Sequence, residues 1–417
     1  MTPPALSPIE VPQEAHLNGP HPRSSLRTLR LPLDPPLTLA AVGLGICSIV
    51  TLRVATRAFV PGNPLYYVDR QTIYLIVGLV LMVVLSRIDY SHLRHLMYGI
   101  YAALILSILA VLALGHTAKG AQRAINFPLF SFQASEIGKV LLILALSALL
   151  AARARQLRQA GTTARVLAAA AVPALLVVVQ PDLGSGLVYA AIAFTLLFVA
   201  GVPWRQLAAL AAIAVAATSF VLVLAPAAGV HVLKPYQTER LTAFLHPTSN
   251  LQEIKEKEAK TGEPDPTYQQ LESKVAIGAG QKTGRGADST QIKGKYVPED
   301  NTDFIFAAVG EQYGFVGAAL VLSLYALLIW RTLRILTMAK DLFGSLVAAG
   351  VVAMLMFQVF VNVGMSVGIM PITGVTLPLM SYGGSSVITT LLAVGLLQSI
   401  YVQASASQAQ KGRVFRY

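Results

Sequence analysis

Ten apolar runs set the pattern of the 417-residue chain, near 37–57, 71–87, 96–115, 136–152, 164–180, 182–202, 206–226, 314–332, 343–369 and 385–403. Each approaches the roughly 17–25 residues that cross a bilayer as a helix. The pattern predicts an all-α polytopic membrane protein of about ten transmembrane helices, with a large extracytoplasmic loop between helices 7 and 8. Residues 1–36 are rich in Pro and polar residues, carry Arg23, Arg27 and Arg30, and lack the continuous apolar core of a signal peptide. They read as a disordered cytoplasmic tail. The expected organisation is therefore a tail over 1–36, helices 1–7 over 37–226, the loop over 227–313, helices 8–10 over 314–403 and a second tail over 404–417.

Basic residues in the short connections orient this array. With the N-terminus inside, the inner segments hold Arg87, Arg94, Arg153, Arg155, Arg158, Arg165, Arg205, Arg331, Arg334 and Lys340, and the final tail adds Lys411, Arg413 and Arg416. The outer short loops hold fewer: Arg57, Arg70, Lys119 and Arg123, with Arg53 near a span end. Both termini are expected in the cytoplasm. The long loop is exempt from this rule. Within it, Leu251–Lys260 pairs opposite charges such as Glu253 and Lys257 and predicts a short solvated helix. Gly262, Pro264 and Pro266 end that helix. After the more apolar Leu271–Ile277, the close spacing of Gly278, Gly280, Gly284 and Gly286 predicts a backbone that approaches a ligand or the membrane surface closely. No internal repeat of fixed period is visible.

Composition agrees with the pattern: 55% of residues are hydrophobic and 12% charged, against about 25% charged in soluble domains. The net charge of +12 lies mainly at the ends of apolar runs, where it sets topology and meets anionic lipid headgroups. This excludes nucleic-acid binding. The single cysteine, Cys47, excludes a disulfide framework or a thiolate metal cluster. His92, His95, His116 and His231 show no zinc-binding spacing.

Ionisable groups beside hydrocarbon are costly, which makes each a candidate for function. Glu136 and Lys139, three apart at the start of the fourth span, can form a structural ion pair. Alternatively, Lys119, Arg123 and Lys139 can hold a polyanion such as a diphosphate. Asp182, in Gln180-Pro-Asp-Leu-Gly-Ser185, can cap the sixth span or, facing a cavity, bind a metal or a sugar hydroxyl. Before the last span, Pro371–Pro378 leads to Ser381-Tyr-Gly-Gly-Ser-Ser386. Its glycines and the hydroxyls of Ser385 and Ser386 suit either a phosphate cradle or a capped tight turn. Finally, Val297–Phe306 brings acids against an apolar helix start. Asn301 or Thr302 is expected to cap a helix beginning at Asp303, which places that acid in the first turn. Phe304, Ile305 and Phe306 follow at once, so the carboxylate lies at the membrane boundary, where partial desolvation favours a general base.

Taken together, Gly120-Ala-Gln-Arg123, Gln133-Ala-Ser-Glu136-Ile-Gly-Lys139, Gln180-Pro-Asp-Leu-Gly184, Ser273-Lys-Val-Ala-Ile-Gly278, Asn301-Thr-Asp-Phe-Ile-Phe306 and Ser381–Ser386 resemble the SEDS family (shape, elongation, division and sporulation proteins) from about residue 37 to 403. Leu197–Trp204 and Gly395–Ile400 look closer to its RodA elongation branch than to its FtsW division branch. The chain departs from the family pattern at Ala124 in place of Trp, Ala134 in place of Pro, Asn301 in place of His and Glu272 in place of Gln, and has a longer loop over His246–Tyr268.

The resemblance implies a multi-pass protein of the bacterial cytoplasmic membrane that polymerises lipid II into glycan strands at the outer face, paired with a class B penicillin-binding protein. It aligns Asp303 with the catalytic aspartate, the base for an inverting transfer. Undecaprenyl diphosphate leaves, its charge met by nearby cations or by a divalent ion, Mg or Mn; Asp303 and Asp182 are the carboxylates that could ligate such an ion. The alternatives are a division polymerase, a lipid II flippase and a non-catalytic scaffold for a transpeptidase.

Overall fold

A computed structural model describes residues 33–57, 62–118, 121–126, 130–220, 266–286, 289 and 301–414. Its helices are α1 (Pro35–Ala55), α2 (Tyr66–Arg87), α3 (Met97–Leu114), α4 (Ala134–Ala152), α5 (Ala160–Val179), α6 (Leu183–Val199), α7 (Trp204–Ser219), α8 (Pro266–Ala279), α9 (Ile305–Met338), α10 (Leu342–Val367) and α11 (Gly384–Val414). Eight of these, α1 to α5 and α9 to α11, are long and apolar enough to cross a membrane. The 17-residue apolar α6 and the alanine-rich α7 occupy the positions of the two other expected spans. The chain is an all-α polytopic membrane protein. The predicted helix over Leu251–Lys260 lies outside the described residues.

The helix starts follow from local chemistry. Asp34 caps α1, its carboxylate accepting from the Leu37 amide, and prolines occupy the first turn, where no intrahelical donor is lost. Asp341 caps α10 through the Gly344 amide, and Gly368, at φ 85°, closes it in a left-handed conformation. The helices α4 and α11 are enclosed on most sides, whereas α3 and the long part of α9 are largely uncovered. Their uncovered side chains include Leu106 of α3 and Val316 and Leu320 of α9, apolar as a lipid-facing surface requires.

The two ends of the bundle differ. At one end, buried Asp34 meets Arg331 of α9 (2.5 Å), and Gln398 of α11 accepts from the Asp34 amide (2.7 Å). Beside it, Lys340 reaches Gln403 (2.5 Å) and Asp89 (3.8 Å), and the Tyr90 hydroxyl donates to Asp341 (3.1 Å). Burial opposes ionisation of Asp89, but the bond from the Ser91 amide (2.8 Å), with the neighbouring Ser91 side chain and Lys340, outweighs it and leaves its pKa below the usual carboxylate value. Burial, first, and the neighbouring Asp341 push the Tyr90 phenol well up. At the opposite end meet the segments preceding α4, α6, α9 and α11.

Three features differ from the sequence-based expectation. Three short strands, β1 (His116–Ala118), β2 (Ala121–Asn126) and β3 (Ser131–Phe132), form a small antiparallel sheet in the order β1-β2-β3. The eighth span begins at Ile305 rather than near 314. Its first part, Ile305–Gln312, is buried, and the helix continues past Gly314 only through a kink, at φ 62° and ψ −156°. Glu311, Gln312 and Gly314 interrupt the apolar run and conceal this first part from hydropathy. Lastly, the glycine-rich segment makes a close approach to this kink, a contact the sequence does not announce. The Arg285 amide donates to Glu311 O (2.8 Å), Phe315 N to Gln281 O (2.9 Å) and Val316 N to Lys282 O (3.1 Å). A Cβ on Gly314 would lie 2.5 Å from the Gly284 amide nitrogen, so only glycine permits the contact.

Candidate active site

Asp303 lies in a turn, not in the first turn of a helix. Residues 301–304 are turn, α9 begins at Ile305, and Phe304 at its N-cap makes no side-chain capping bond. The expected cap by Asn301 or Thr302 is therefore corrected, because tertiary bonds hold this turn instead. Three consecutive carbonyls are each bonded from the far side of the site. Tyr382 N donates to Asn301 O (2.9 Å), Ser381 Oγ to Thr302 O (2.6 Å) and Asn362 Nδ2 to Asp303 O (2.8 Å). Phe304, Ile305 and Phe306 are buried behind it while Asp303 remains partly exposed. A buried apolar triplet and a fixed main chain thus hold a partly exposed carboxylate at the rim of the bundle.

The segment 371–383 connects this turn to the other candidate groups. Asn362 Nδ2 also donates to Val375 O (2.7 Å). The next residue, Thr376, places its hydroxyl 3.5 Å from Glu136 Oε1 and 3.1 Å from Ser386 Oγ. Glu136 and Lys139 form an ion pair at 2.7 Å with both side chains buried, at 5% and 2% exposure. This is the ion pair expected from their spacing, and it sits one residue along the loop from the contact that reaches Asp303. Gly184 brings α6 against the same loop, since a Cβ there would meet Thr373 O at 2.6 Å.

Asp182 caps α6, accepting from Ser185 N (3.1 Å) on Oδ1, while Oδ2 accepts from Ser135 Oγ (2.8 Å) and Gln133 Nε2 (3.3 Å). It thus ties α6 to the start of α4. Ser385 Oγ accepts from Gln133 N (3.0 Å) and donates to Ser131 O (2.6 Å), and Ser386 meets Thr376, so both hydroxyls join α11 to neighbouring segments. Arg123 lies in β2, and Lys119 lies outside the described residues. The structure brings together Asp303, Glu136, Lys139, Asp182, Ser385 and Ser386 at one end of the bundle. Both oxygens of Asp182 accept from protein donors, and no group of three or more His, Cys, Asp or Glu side chains that could hold a metal ion occurs among the described residues.

Two contributors do not stand out in the sequence alone. Thr376 links the loop to Glu136, and Asn362 links it to Asp303. A polar amide inside the otherwise apolar run 343–369 is the available signal for Asn362.

Comparison with known proteins gives a consistent result. A family model described as cell cycle protein, FtsW/RodA/SpoVE, matches residues 34–406. The chain is 34% identical over 379 residues to the probable peptidoglycan glycosyltransferase FtsW of Thioalkalivibrio sulfidiphilus, covering 88% of this chain and 89% of that one. It is 34% identical over 375 residues to the peptidoglycan glycosyltransferase MrdB of Escherichia coli K12, covering 88% and 93%. A solved structure from work on the structural coordination of polymerization and crosslinking by a peptidoglycan synthase complex superposes with a TM-score of 0.71 at 31% identity, covering 90% of this chain and 99% of that one.

Proposed function

The chain belongs to the SEDS family of FtsW/RodA/SpoVE cell cycle proteins, and on that premise we propose that it is a peptidoglycan glycosyltransferase that polymerises lipid II at the outer face of the cytoplasmic membrane, with both termini inside. The observation that carries this reading is the turn bearing Asp303, held by three carbonyl bonds and joined through residues 375 and 376 to the buried Glu136–Lys139 pair. In the reaction, the Asp303 carboxylate takes the proton of the acceptor sugar 4-hydroxyl as that oxygen bonds to the anomeric carbon of the donor. The bond from that carbon to the diphosphate oxygen breaks, and undecaprenyl diphosphate departs with the electron pair. One displacement turns the α-linked donor into a β-linked glycan, so no covalent enzyme intermediate is needed. Lys139 supplies positive charge near the leaving group in a low-dielectric setting, and Glu136 orients it and competes with the diphosphate for it.

The RodA-like elongation role and the FtsW-like division role fit equally well with relatives of both kinds. A class B penicillin-binding protein is the proposed partner, in keeping with the crosslinking named for the synthase complex to which the fold is similar. The test is polymerisation of labelled lipid II by the purified full chain with its transpeptidase partner. Wild-type protein should yield glycan chains, and Asp303→Asn and Asp303→Ala, correctly folded, should lose nearly all of that activity. Normal polymerisation by either variant would overturn the assignment of the base. Lipid movement across vesicles without polymer would instead identify a flippase, and neither activity a scaffold. Rescue of cells depleted of their elongation or division polymerase separates the two roles.

A further inference from the structure

We propose that Asn362 is a positioning residue for Asp303, orienting the acid's main chain through a forked amide; this rests on the reading of Asp303 as the base. Asn362 lies in α10, fully buried and flanked by Val361 and Val363. A buried amide among apolar residues is costly unless bonded. Its nitrogen donates twice, to Asp303 O at 2.8 Å and to Val375 O at 2.7 Å. Both acceptors are carbonyls, which cannot donate, so the amide orientation is settled by chemistry: the nitrogen must face them. The consequence is that Asn362 Oδ1 has no hydrogen-bond partner among the described residues. The residue sacrifices its acceptor to keep both donors on two separate segments of the site.

The need for such a fork follows from the turn. Asp303 precedes α9, and its N-cap lacks a side-chain bond, so the helix does not set the direction of the acid. The Asn362 bond acts on the carbonyl of the acid itself, and the second branch fixes the acid relative to the residue before Thr376, hence to Glu136 and Lys139. The main chain that carries this amide is bonded in turn: Ser366 Oγ donates to the main-chain carbonyl of Asn362 (2.9 Å), and Ser273 Oγ of α8 donates to Ser366 O (2.9 Å). Ser381 and Tyr382 hold the two preceding carbonyls, but neither reaches Asp303 and Val375 with one group.

The test uses two variants in the full-length protein with its partner, assayed on labelled lipid II. Asn362→Ala removes both donors. Asn362→Asp keeps the size and removes the paired donors, which guards against a packing defect in the alanine variant. Each is expected to lower kcat about 10- to 100-fold, the scale of a small misplacement of a reacting group, with KM within about twofold, in a protein that still folds and melts cooperatively in detergent, though at a lower temperature because buried carbonyls lose their donor. The pH–rate profile should also shift its acidic limb, because the surroundings of the base have changed. Wild-type kcat in a folded variant, or a rise in KM alone, would overturn the proposal. So would failure of both variants to fold, since Asn362 would then be a structural residue. Asp303→Asn in the same assay keeps the premise separate: if it polymerises normally, the base is misassigned whatever Asn362 does.

Discussion

At the scale of single residues, the buried Glu136–Lys139 pair makes a sharp prediction. Removing one partner strands a charge in an apolar interior, which typically costs about 3–5 kcal/mol, whereas replacing both by apolar groups of similar size is often near neutral. Lys139→Met or Glu136→Gln alone should therefore lower the melting temperature in detergent, and the double variant Glu136→Leu with Lys139→Met should recover most of it. If Lys139 also meets the leaving diphosphate, the double variant stays inactive on lipid II despite its recovered stability; full activity there would remove Lys139 from the reaction. Much of the site is legible residue by residue. Asp303, Glu136, Lys139 and Asp182 stand out as charges beside hydrocarbon, and the cap by Asp182 follows from its place before α6. The position of Asp303 is not legible, because its turn is held by Tyr382, Ser381 and Asn362, residues 59 to 81 positions away in sequence.

Among elements, the contact between the glycine-rich turn after α8 and the kink of α9 carries the next prediction. Gly314→Ala forces a side chain onto a backbone at φ 62° and into the Gly284 amide, so it should destabilise by more than about 1 kcal/mol. Gly278 in α8 has open space around its missing Cβ, and Gly278→Ala should be neutral or stabilising by about 0.5–1 kcal/mol. Thermal melts of the two variants check the contrast; equal behaviour would mean that the kink contact contributes nothing to stability. Close backbone approach is readable from the glycine density, but its target is not, since Gly310 and Gly314 lie inside what hydropathy treats as the edge of a span. The strands β1 to β3 escape notice for a different reason: they are two to six residues long, too short to show a reliable alternation.

For the molecule as a whole, the ten-span pattern is legible because lipid demands long apolar helices, and the gathering of four segments at one end is not, because it depends on helix packing. The opposite end responds to pH in a defined direction. A carboxylate whose pKa is lowered by folding adds stability above its unfolded pKa of about 3.9 and loses it as pH falls through the lower folded value. Asp89 is such a group, partly exposed, so its effect is small. Wild type should melt slightly above Asp89→Asn near pH 7, and the gap should close below about pH 4; a gap that persists in acid would contradict the lowered pKa. The shortness of α6 has a consequence of another kind. At 17 residues it is about 25 Å long, less than the roughly 30 Å hydrocarbon thickness of a typical bilayer, so the lipid beside it must thin or its ends must be drawn inwards. Thinning at the Asp182 end lowers the headgroup plane there towards Gln133, Ser135 and the buried Lys139, and under the proposed function a polyprenyl diphosphate arriving at that end rides nearer to them. Turnover in vesicles should accordingly rise as acyl chains shorten and fall as they lengthen, making bilayer thickness itself a control on glycan synthesis.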